Sequence, residues 1–176
     1  KPTDDRKPAA LQYTYASLSG GPTRLTQIAD GVDTNRKASL YYSGDTQCGT
    51  APAGYDANAP SNMLCAVKTN DARATYFYYK NGQIERIAQP GNAYTDYGYE
   101  TLSDGSKRIV SVRDPLANDA VAAGVRTANA TVLTEVEYDS LGRVSKVKQP
   151  GATASATRIE HTLKYFLGDS TTSYFG

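Results

Sequence analysis

Apolar and polar residues alternate along much of this chain in short runs, and each run is bounded by Gly, Pro, Asn or Asp. A period of two between turn residues predicts half-buried strands paired into antiparallel hairpins. In the run that ends at Tyr79, Tyr76 and Tyr78 share one face, and Phe77 and Tyr79 share the other. The strands predicted in this way are 11–15, 24–29, 37–42, 72–79, 84–89, 94–101, 108–112, 131–138 and 158–166.

Turn and cap signals separate these strands. Asn81-Gly82 is the strongest hairpin signal, because both residue types tolerate the positive φ angles of a two-residue turn. Asp104-Gly105 marks a second turn. One short helix is predicted after Asp114, an N-cap residue that is followed by Pro115 at the first helical position. We interpret this helix as an insertion between hairpins.

Two stretches of the chain share turn and strand residues at matched positions, and residues 78–91 align with residues 138–151. The matched positions pair Tyr78 with Tyr138, Gly82 with Gly142, Pro90 with Pro150 and Gly91 with Gly151. A weaker third copy lies upstream, where Tyr15 precedes Leu25 and Ile28. Repeat units bury their apolar faces on one another, so an internal repeat favours a scaffold or interaction surface over an enzyme.

The repeats predict an all-β domain over residues 11–176. Its three predicted units are residues 11–70, 71–130 and 131–176, and residues 1–10 are predicted to be a linker or the edge of a fragment. Both clear copies also contain two β-branched residues spaced three apart, Ile84 with Ile87 and Val144 with Val147. Odd spacing in a strand puts side chains on opposite faces, so either both faces are partly covered or a β-bulge intervenes.

The segment Tyr138-Asp139-Ser140-Leu141-Gly142-Arg143-Val144 resembles the YD-repeat signature, Tyr-Asp-x-x-Gly-Arg-(Leu/Val). That signature marks bacterial Rhs-type proteins and is related to repeats in toxin-complex shells and teneurins. The clear match covers residues 72–167, and the copy at Tyr78 departs from the signature because it lacks the Asp and the Arg. In this family the repeats form a long β-sheet that spirals into a hollow shell, often around a toxin domain.

The resemblance implies a curved sheet of antiparallel hairpins in a secreted or surface-exposed bacterial protein. It also implies a non-catalytic, structural role, with further YD repeats or a toxin or effector domain of a longer chain as partners. Family members often end the shell with a self-cleaving Asp-Pro-x-Gly-Leu segment. Asp114-Pro115-Leu116 matches only its start, so we do not expect protease activity here.

Composition narrows the choice of function. The chain has 19 basic and 18 acidic residues and a net charge of +1, which disfavours an extended nucleic-acid-binding patch. Its apolar runs are all far shorter than the roughly 18 residues of a membrane-spanning helix, so no membrane span is predicted. Tyr is abundant, with 14 residues against 3 Phe and no Trp, which suits half-buried strands and wet interfaces.

The tyrosines support an alternative function. Exposed aromatic rings on a sheet can stack on sugars, so the chain could be an extracellular module that binds carbohydrate or a cell surface. The candidate residues are Tyr41, Tyr42, Tyr94, Tyr97 and Tyr99. Cross-strand packing of tyrosines is the competing and favoured interpretation, because the tyrosines recur with the repeat positions.

Catalytic and metal-binding chemistry has little support in the sequence. His161 is the only histidine, and its place on an apolar strand face favours a packed or edge residue over a general base. The acids are scattered beside Gly and Asn, where Asp caps turns, and Asp139 is expected to pair with Arg143 within its own turn. We therefore expect no enzyme activity, cofactor or metal, and a degradative enzyme is the weakest of the three hypotheses.

Cys48 and Cys65 are the only cysteines, and they flank a Gly- and Pro-rich stretch that is predicted to be a long irregular loop. An even number of cysteines in an exported chain favours a disulfide. Two buried free thiols in a cytosolic protein are the other interpretation. A bridge would explain how so long a loop remains ordered.

Overall fold

A computed structural model describes residues 11–17 and 21–166, so the predicted linker, residues 1–10, lies outside the described residues. The strands are β1 Leu11–Ser17, β2 Thr23–Asp30, β3 Lys37–Tyr42, β4 Leu64–Thr69, β5 Ala74–Lys80, β6 Gln83–Ala88, β7 Tyr94–Thr101, β8 Lys107–Arg113, β9 Thr134–Tyr138, β10 Val144–Lys148 and β11 Glu160–Thr162. One helix, α1, spans Pro115–Ala122. Short 3₁₀ turns occupy Thr46–Cys48, Pro90–Asn92 and Ala130–Val132.

The strands follow one another in chain order in an antiparallel sheet, so each strand pairs with its neighbours in the sequence. The predicted all-β fold of antiparallel hairpins with one short helix is confirmed. Sequence patterning missed strand β4, because it follows the long loop and pairs with β3 across it. Strand β10 is also absent from the strands predicted by alternation, and only the repeat alignment with residues 78–91 indicates it. The repeating hairpins are also shorter than the predicted units, since residues 11–70 contain two hairpins, β1–β2 and β3–β4.

The chain forms two compact units, one up to Asp96 and the other from Tyr97 onward. In the first unit the buried apolar side chains are few: Ala29, Cys65, Ala66 and Tyr79. In the second unit Val132 is buried, together with the polar side chain of Asn118. Most other strand residues are half-buried, as expected where a sheet face is covered by neighbouring side chains and not by a second layer.

A β-bulge recurs in the hairpins at one position. In each case a tyrosine of the first strand lies opposite an aliphatic residue of the second strand. The next residue of that second strand lies opposite no residue of the first strand. The opposed pairs are Tyr15 with Leu25, Tyr42 with Leu64, Tyr79 with Ile84 and Tyr138 with Val144. The repeat is therefore a bulged hairpin, and the structure aligns Tyr138 with Tyr79, one residue after the sequence-matched Tyr78.

The bulge resolves the odd spacing of the aliphatic residues. Ile84 lies opposite Tyr79, and Ile87 lies opposite Phe77. Because Phe77 and Tyr79 are two residues apart in a regular strand, Ile84 and Ile87 share a face although they are three apart. The same spacing recurs in Leu25/Ile28, Leu64/Val67, Ile109/Val112 and Val144/Val147.

The predicted turns and helix are present. Gly82 and Gly142 have φ angles of 78° and 77°, and Asn81 also has a positive φ of 49°, as a two-residue Asn-Gly turn requires. Helix α1 begins after Asp114, whose carboxylate accepts a hydrogen bond from the Ala117 amide at 2.8 Å. It ends before Gly124, which has a positive φ.

Ala72 provides a test of this turn geometry. Its turn has the same hydrogen-bond pattern as the Gly142 turn. In the Ala72 turn, Thr69 N donates to Arg73 O and Ala72 N donates to Thr69 O. Ala72 takes a φ of 63°, however, where a side chain is strained. Ala72→Gly should raise the free energy of unfolding by about 0.5–1 kcal/mol after the greater freedom of Gly in the unfolded chain is subtracted. Denaturant titration measures this change.

The matched control is Gly142→Ala, because Gly142 already occupies the same backbone region. That substitution should lower the free energy of unfolding by a similar amount, about 0.5–1 kcal/mol. A loss of stability in Ala72→Gly would contradict the assignment of strain to Ala72.

Candidate functional site

Within each unit, tyrosine hydroxyls connect successive hairpins on one face of its strands, which we call the ladder face. Each hydroxyl donates a hydrogen bond to a backbone carbonyl of the preceding hairpin. The bonds run from Tyr42 to Leu25 at 2.7 Å, from Tyr79 to Leu64 at 2.8 Å, from Tyr138 to Ile109 at 2.6 Å and from Tyr165 to Val144 at 2.9 Å. The segment carrying each tyrosine is thereby fixed to the hairpin before it.

The acceptors explain why these positions hold Tyr and not Phe. Leu25, Leu64 and Val144 are the residues at which their hairpins bulge. A bulge disrupts the regular ladder of backbone hydrogen bonds, so its polar groups need other partners. A phenol carries an apolar ring with a donor at its tip and can supply that partner from the next hairpin. Tyr79 is only 2% exposed, and burial raises the pKa of its hydroxyl.

The YD-like signature stabilises its own turn. The Asp139 carboxylate accepts hydrogen bonds from the amides of Leu141 at 2.9 Å and Arg143 at 3.0 Å. Its other oxygen lies 2.8 Å from both Nε and Nη2 of Arg143. Backbone hydrogen bonding, followed by the pairing with Arg143, lowers the pKa of Asp139. The predicted pairing of Asp139 with Arg143 is present, and it closes the hairpin.

Arg143 also reaches the next repeat. Its guanidinium lies 4.4 Å from the ring centroid of Tyr165, whose hydroxyl is bonded to Val144. One hairpin earlier, Arg108 lies 4.1 Å from the ring of Tyr138, whose hydroxyl is bonded to Ile109. In both cases the residue before the acceptor covers the ring and the acceptor's carbonyl takes the hydroxyl, so the tyrosine is held at both ends.

The two Pro-Gly matches take different conformations. Gly91 has a φ of 83° within the Pro90–Asn92 turn. Gly151 is buried, and a Cβ added there would lie 2.9 Å from the Thr153 carbonyl oxygen. Arg126 donates to the Gly151 carbonyl at 3.0 Å. Pro90-Gly91 thus makes a turn, whereas Pro150-Gly151 anchors the segment after α1 to the end of β10.

The face of the first unit opposite the ladder is covered in part by the loop 43–63. A disulfide joins Cys48 to Cys65, with Cα atoms 5.2 Å apart, which confirms the predicted bridge. The loop is also bonded to the next hairpin, because the Asp56 amide donates to the Tyr79 carbonyl at 2.7 Å. The Ser43 hydroxyl donates to the carbonyl of Ala59 and closes the base of the loop.

Tyr55 extends from this loop over the sheet. Its ring lies 5.9 Å from the ring of Tyr78, and the guanidinium of Arg86 lies 5.2 Å from its centroid. Arg86 pairs with both carboxylate oxygens of Asp96, at 2.6 and 3.0 Å. The Tyr55 hydroxyl donates to Asp96 at 3.4 Å. Burial, reinforced by the negative charge of Asp96, raises the pKa of Tyr55 to about 12.

A groove of about 470 Å³ lies beside Tyr55 on the same face. Its lining combines aromatic, small and polar residues: Tyr76, Tyr78, Tyr94, Ala74, Ala88, Arg86, Pro52 and residues 89–92. The rings of Tyr76 and Tyr78 are nearly parallel, at 12° with centroids 6.1 Å apart. Arg86 lies 3.8 Å from the ring of Tyr94.

The five tyrosines proposed for carbohydrate do not share this surface. Tyr94 lines the groove, and Tyr41 lies beside it, with Lys68 5.8 Å from its ring and 5.7 Å from the ring of Tyr76. Tyr42 belongs to the ladder face. The remaining two, Tyr97 and Tyr99, are half-buried in the second unit and do not line the groove.

Tyr99 occupies the position in β7 that Tyr79 occupies in β5. Each lies three residues after the last residue of its strand that pairs with the preceding strand, which is Asp96 in β7 and Tyr76 in β5. Sequence reasoning missed Tyr76, Tyr78 and Arg86 as groove residues. The signal that could have found the groove is Ala88, a small residue in a strand whose neighbours are large.

The residues considered as catalytic or metal-binding candidates are either exposed or bonded within turns. His161 is exposed in β11, opposite Val147. Asp45 and Asp104 accept hydrogen bonds from backbone amides two residues ahead, at Gln47 and Ser106. Within residues 11–17 and 21–166, no three His, Cys, Asp or Glu side chains are grouped so that they could hold a metal ion. No helix in that part of the chain is long and apolar enough to cross a membrane.

The ladder predicts a specific loss on removal of one hydroxyl. Tyr79→Phe leaves the Leu64 carbonyl without its donor and should lower the free energy of unfolding by about 1–3 kcal/mol. Tyr15→Phe is the control, since that side chain is 61% exposed and should change stability by less than about 0.5 kcal/mol. Equal effects in denaturant titrations would show that the hydroxyl of Tyr79 contributes nothing specific.

The raised pKa of Tyr55 predicts a loss of stability in alkali. Because the folded pKa of about 12 exceeds the unfolded value of 10.0, the contribution of Tyr55 is complete below pH 10. It is lost as the pH rises toward 12. Ultraviolet difference spectroscopy should show a phenol that ionises near pH 12, and Tyr55→Phe should remove that step. An unchanged titration curve in the variant would contradict the assignment.

Comparison with models of known protein families found no match for this chain, and comparison with curated proteins found none either. The similarity to YD repeats therefore rests on the residues of the chain itself, in particular Tyr138, Asp139, Gly142 and Arg143. The contacts of these residues and of the ladder tyrosines are the basis for any functional proposal.

Proposed function

We propose that this chain is a non-catalytic structural segment of a secreted or surface-exposed bacterial protein of the Rhs/YD-repeat type. The segment forms part of a β-sheet wall that encloses or presents a toxin or another effector domain. Its partners are further repeats of the same kind and the enclosed domain of a longer chain. The wall acts by excluding solvent and macromolecules from one side, because its strands are mutually hydrogen bonded.

The tyrosine ladder is the observation that carries this proposal. Each ladder hydroxyl ties a hairpin to the one before it, as in Tyr79 with Leu64 and Tyr138 with Ile109. Coupling between nearest neighbours is the property that lets repeat proteins grow by adding units. A catalytic domain has no need of such a periodic contact.

The exposure of β1 agrees with growth of the sheet beyond this strand. Leu11, Tyr13 and Tyr15 are 57%, 53% and 61% exposed, although Tyr79, at the position equivalent to Tyr15, is 2% exposed. A further hairpin paired with β1 would cover these side chains. Its bulge would also place a carbonyl where the hydroxyl of Tyr15 could donate to it, as Tyr79 does to Leu64.

The disulfide supports the proposed location. Disulfides persist in oxidising compartments and are rare in the bacterial cytosol. The bridge between Cys48 and Cys65 closes a loop with a sequence separation of 17 residues. Export to the periplasm or the cell surface would supply the conditions in which this bridge forms.

The proposal is tested by placing Tyr15→Phe in two contexts. In the 176-residue chain the substitution should have little effect, because the hydroxyl lies on an exposed side chain. In the full natural protein the ladder continues, so the same substitution should cost about 1 kcal/mol. Native-state hydrogen exchange should then show that the equilibrium constant for opening of β1 is about fivefold larger in the variant than in the unchanged protein.

Tyr79→Phe is the matched positive control, since its bond lies inside the chain and should be lost in both contexts. Equal, negligible effects of Tyr15→Phe in both proteins would mean that the ladder ends at β1, and the wall proposal would fail. The non-catalytic role has a separate test. Turnover of peptidoglycan, polysaccharide or nucleic acid that His161→Ala or a single Asp→Asn change abolishes would overturn it.

A further inference from the structure

The turn between β5 and β6 combines a chemically labile sequence with free access of solvent. Asn81 is followed by Gly82, which has no Cβ, so the amide nitrogen of Gly82 is not shielded from the carboxamide of Asn81. Both residues are exposed. Apart from its chain neighbours, no heavy atom lies within 4 Å of the point that a Cβ of Gly82 would occupy. Solvent water therefore reaches both groups.

The amide of Gly82 is bonded to the bridged loop and not to its own turn. It donates to the Asp56 carboxylate at 3.3 Å, across a sequence separation of 26 residues. The amides of Gly105 and Gly142 instead donate to a carbonyl of their own turns, each at 3.0 Å. At Gly82 the partner of the amide is thus supplied by the tertiary fold, and it is present only while loop 43–63 is in place.

Asp56 contacts the β5–β6 hairpin through its backbone as well as its side chain. Its amide donates to the Tyr79 carbonyl at 2.7 Å, just before the turn. The neighbouring Tyr55 packs its ring on that of Tyr78, with centroids 5.9 Å apart. The disulfide closes the loop that carries both residues. These contacts keep the carboxylate beside the turn.

The Asn-Gly sequence can modify itself without a cofactor. The nitrogen of Gly82, once it has lost its proton, attacks Cγ of Asn81. An N–Cγ bond forms, the Cγ–Nδ2 bond breaks, and Nδ2 leaves as ammonia with the proton that Gly82 gave up. The cyclic succinimide then adds a water molecule, which opens the ring at either carbonyl and leaves aspartate or isoaspartate at position 81.

We propose that Asn81-Gly82 is a latent site of self-modification that the Asp56 carboxylate keeps unreactive. The carboxylate holds the Gly82 proton in a charge-assisted hydrogen bond, and its negative charge opposes formation of an anionic nitrogen beside it. The nitrogen must leave Asp56 before it attacks. Loop 43–63 is therefore a chemical guard of the hairpin, a role that is independent of the proposed wall.

The modification would act on the tyrosine ladder. An isoaspartyl residue carries the backbone through its side chain and lengthens the turn by a methylene group. The length of a hairpin turn sets the register of the two strands that it joins. Tyr79 lies close to this turn in β5, and its hydrogen bond to Leu64 depends on that register. Protection of the turn thus preserves the contact between two hairpins.

The experiment incubates the full 176-residue chain, with its disulfide intact, at mildly alkaline pH. Peptide-mapping mass spectrometry and enzymatic methylation of isoaspartate follow the modification of Asn81. Asp56→Ala removes the acceptor and should raise the rate by at least about fivefold, which corresponds to about 1 kcal/mol. Asp56→Asn keeps a neutral acceptor oxygen, so it should raise the rate less than Asp56→Ala does.

The matched control is Asp45→Ala, because Asp45 lies in the same loop and accepts its hydrogen bond from the Gln47 amide of the loop itself, at 2.9 Å. The rate at Asn81 in this variant should stay within about twofold of that in the unchanged chain. The denatured and reduced chain gives the upper limit of the rate, and the folded chain should react at least about tenfold more slowly.

Thermal unfolding shows which variants are folded during the incubation, and if Asp56→Ala is not, the comparison of Asp56→Asn with Asp45→Ala decides. The proposal is overturned if the folded Asp56 variant reacts within about twofold of the unchanged chain, or if Asp45→Ala accelerates the reaction as much. It is also overturned if the folded, unchanged chain reacts as fast as the denatured one. None of these outcomes depends on whether the ladder continues past β1.

Discussion

The hydrogen bond from a tyrosine hydroxyl to a carbonyl at the bulge of the preceding hairpin is the contact on which this arrangement of hairpins depends. A bulge is costly on its own, because it removes a residue from the regular backbone ladder. Here the next hairpin supplies the missing donor, as Tyr79 does for Leu64. A register slip of one residue would carry that tyrosine to the other face, so the bond also specifies the pairing of hairpins.

The YD-like signature gains a physical meaning from this contact. Tyr138 reaches back to Ile109, Asp139 closes the turn, and Arg143 reaches forward over Tyr165. Short-range and longer-range roles are thus combined within six residues. The opposite face of the first unit carries the bridged loop 43–63, which is inserted between paired strands without disturbing the ladder. Loops supported by a rigid scaffold are where binding sites commonly evolve.

Much of the fold could be predicted because its signals act within a few residues. Period-two alternation, the Asn81-Gly82 turn and the Asp114-Pro115 helix start depend on local backbone preferences, and the structure contains all three. The disulfide could be predicted because the chain has no other cysteine. Strand β4 escaped prediction because its partner β3 is separated from it by the long loop, so no turn signal connects the two.

The sequence by itself determined that this protein consists of hairpins rich in tyrosine and repeated in register. Only the tertiary structure decided what each tyrosine does. Tyr78 and Tyr79 are adjacent and chemically identical, yet one packs under Tyr55 and the other bonds to Leu64. The difference arises from strand pairing, which brings together residues far apart in the chain. Bulges then shift which side chains share a face, and neither effect is encoded within one local stretch of residues.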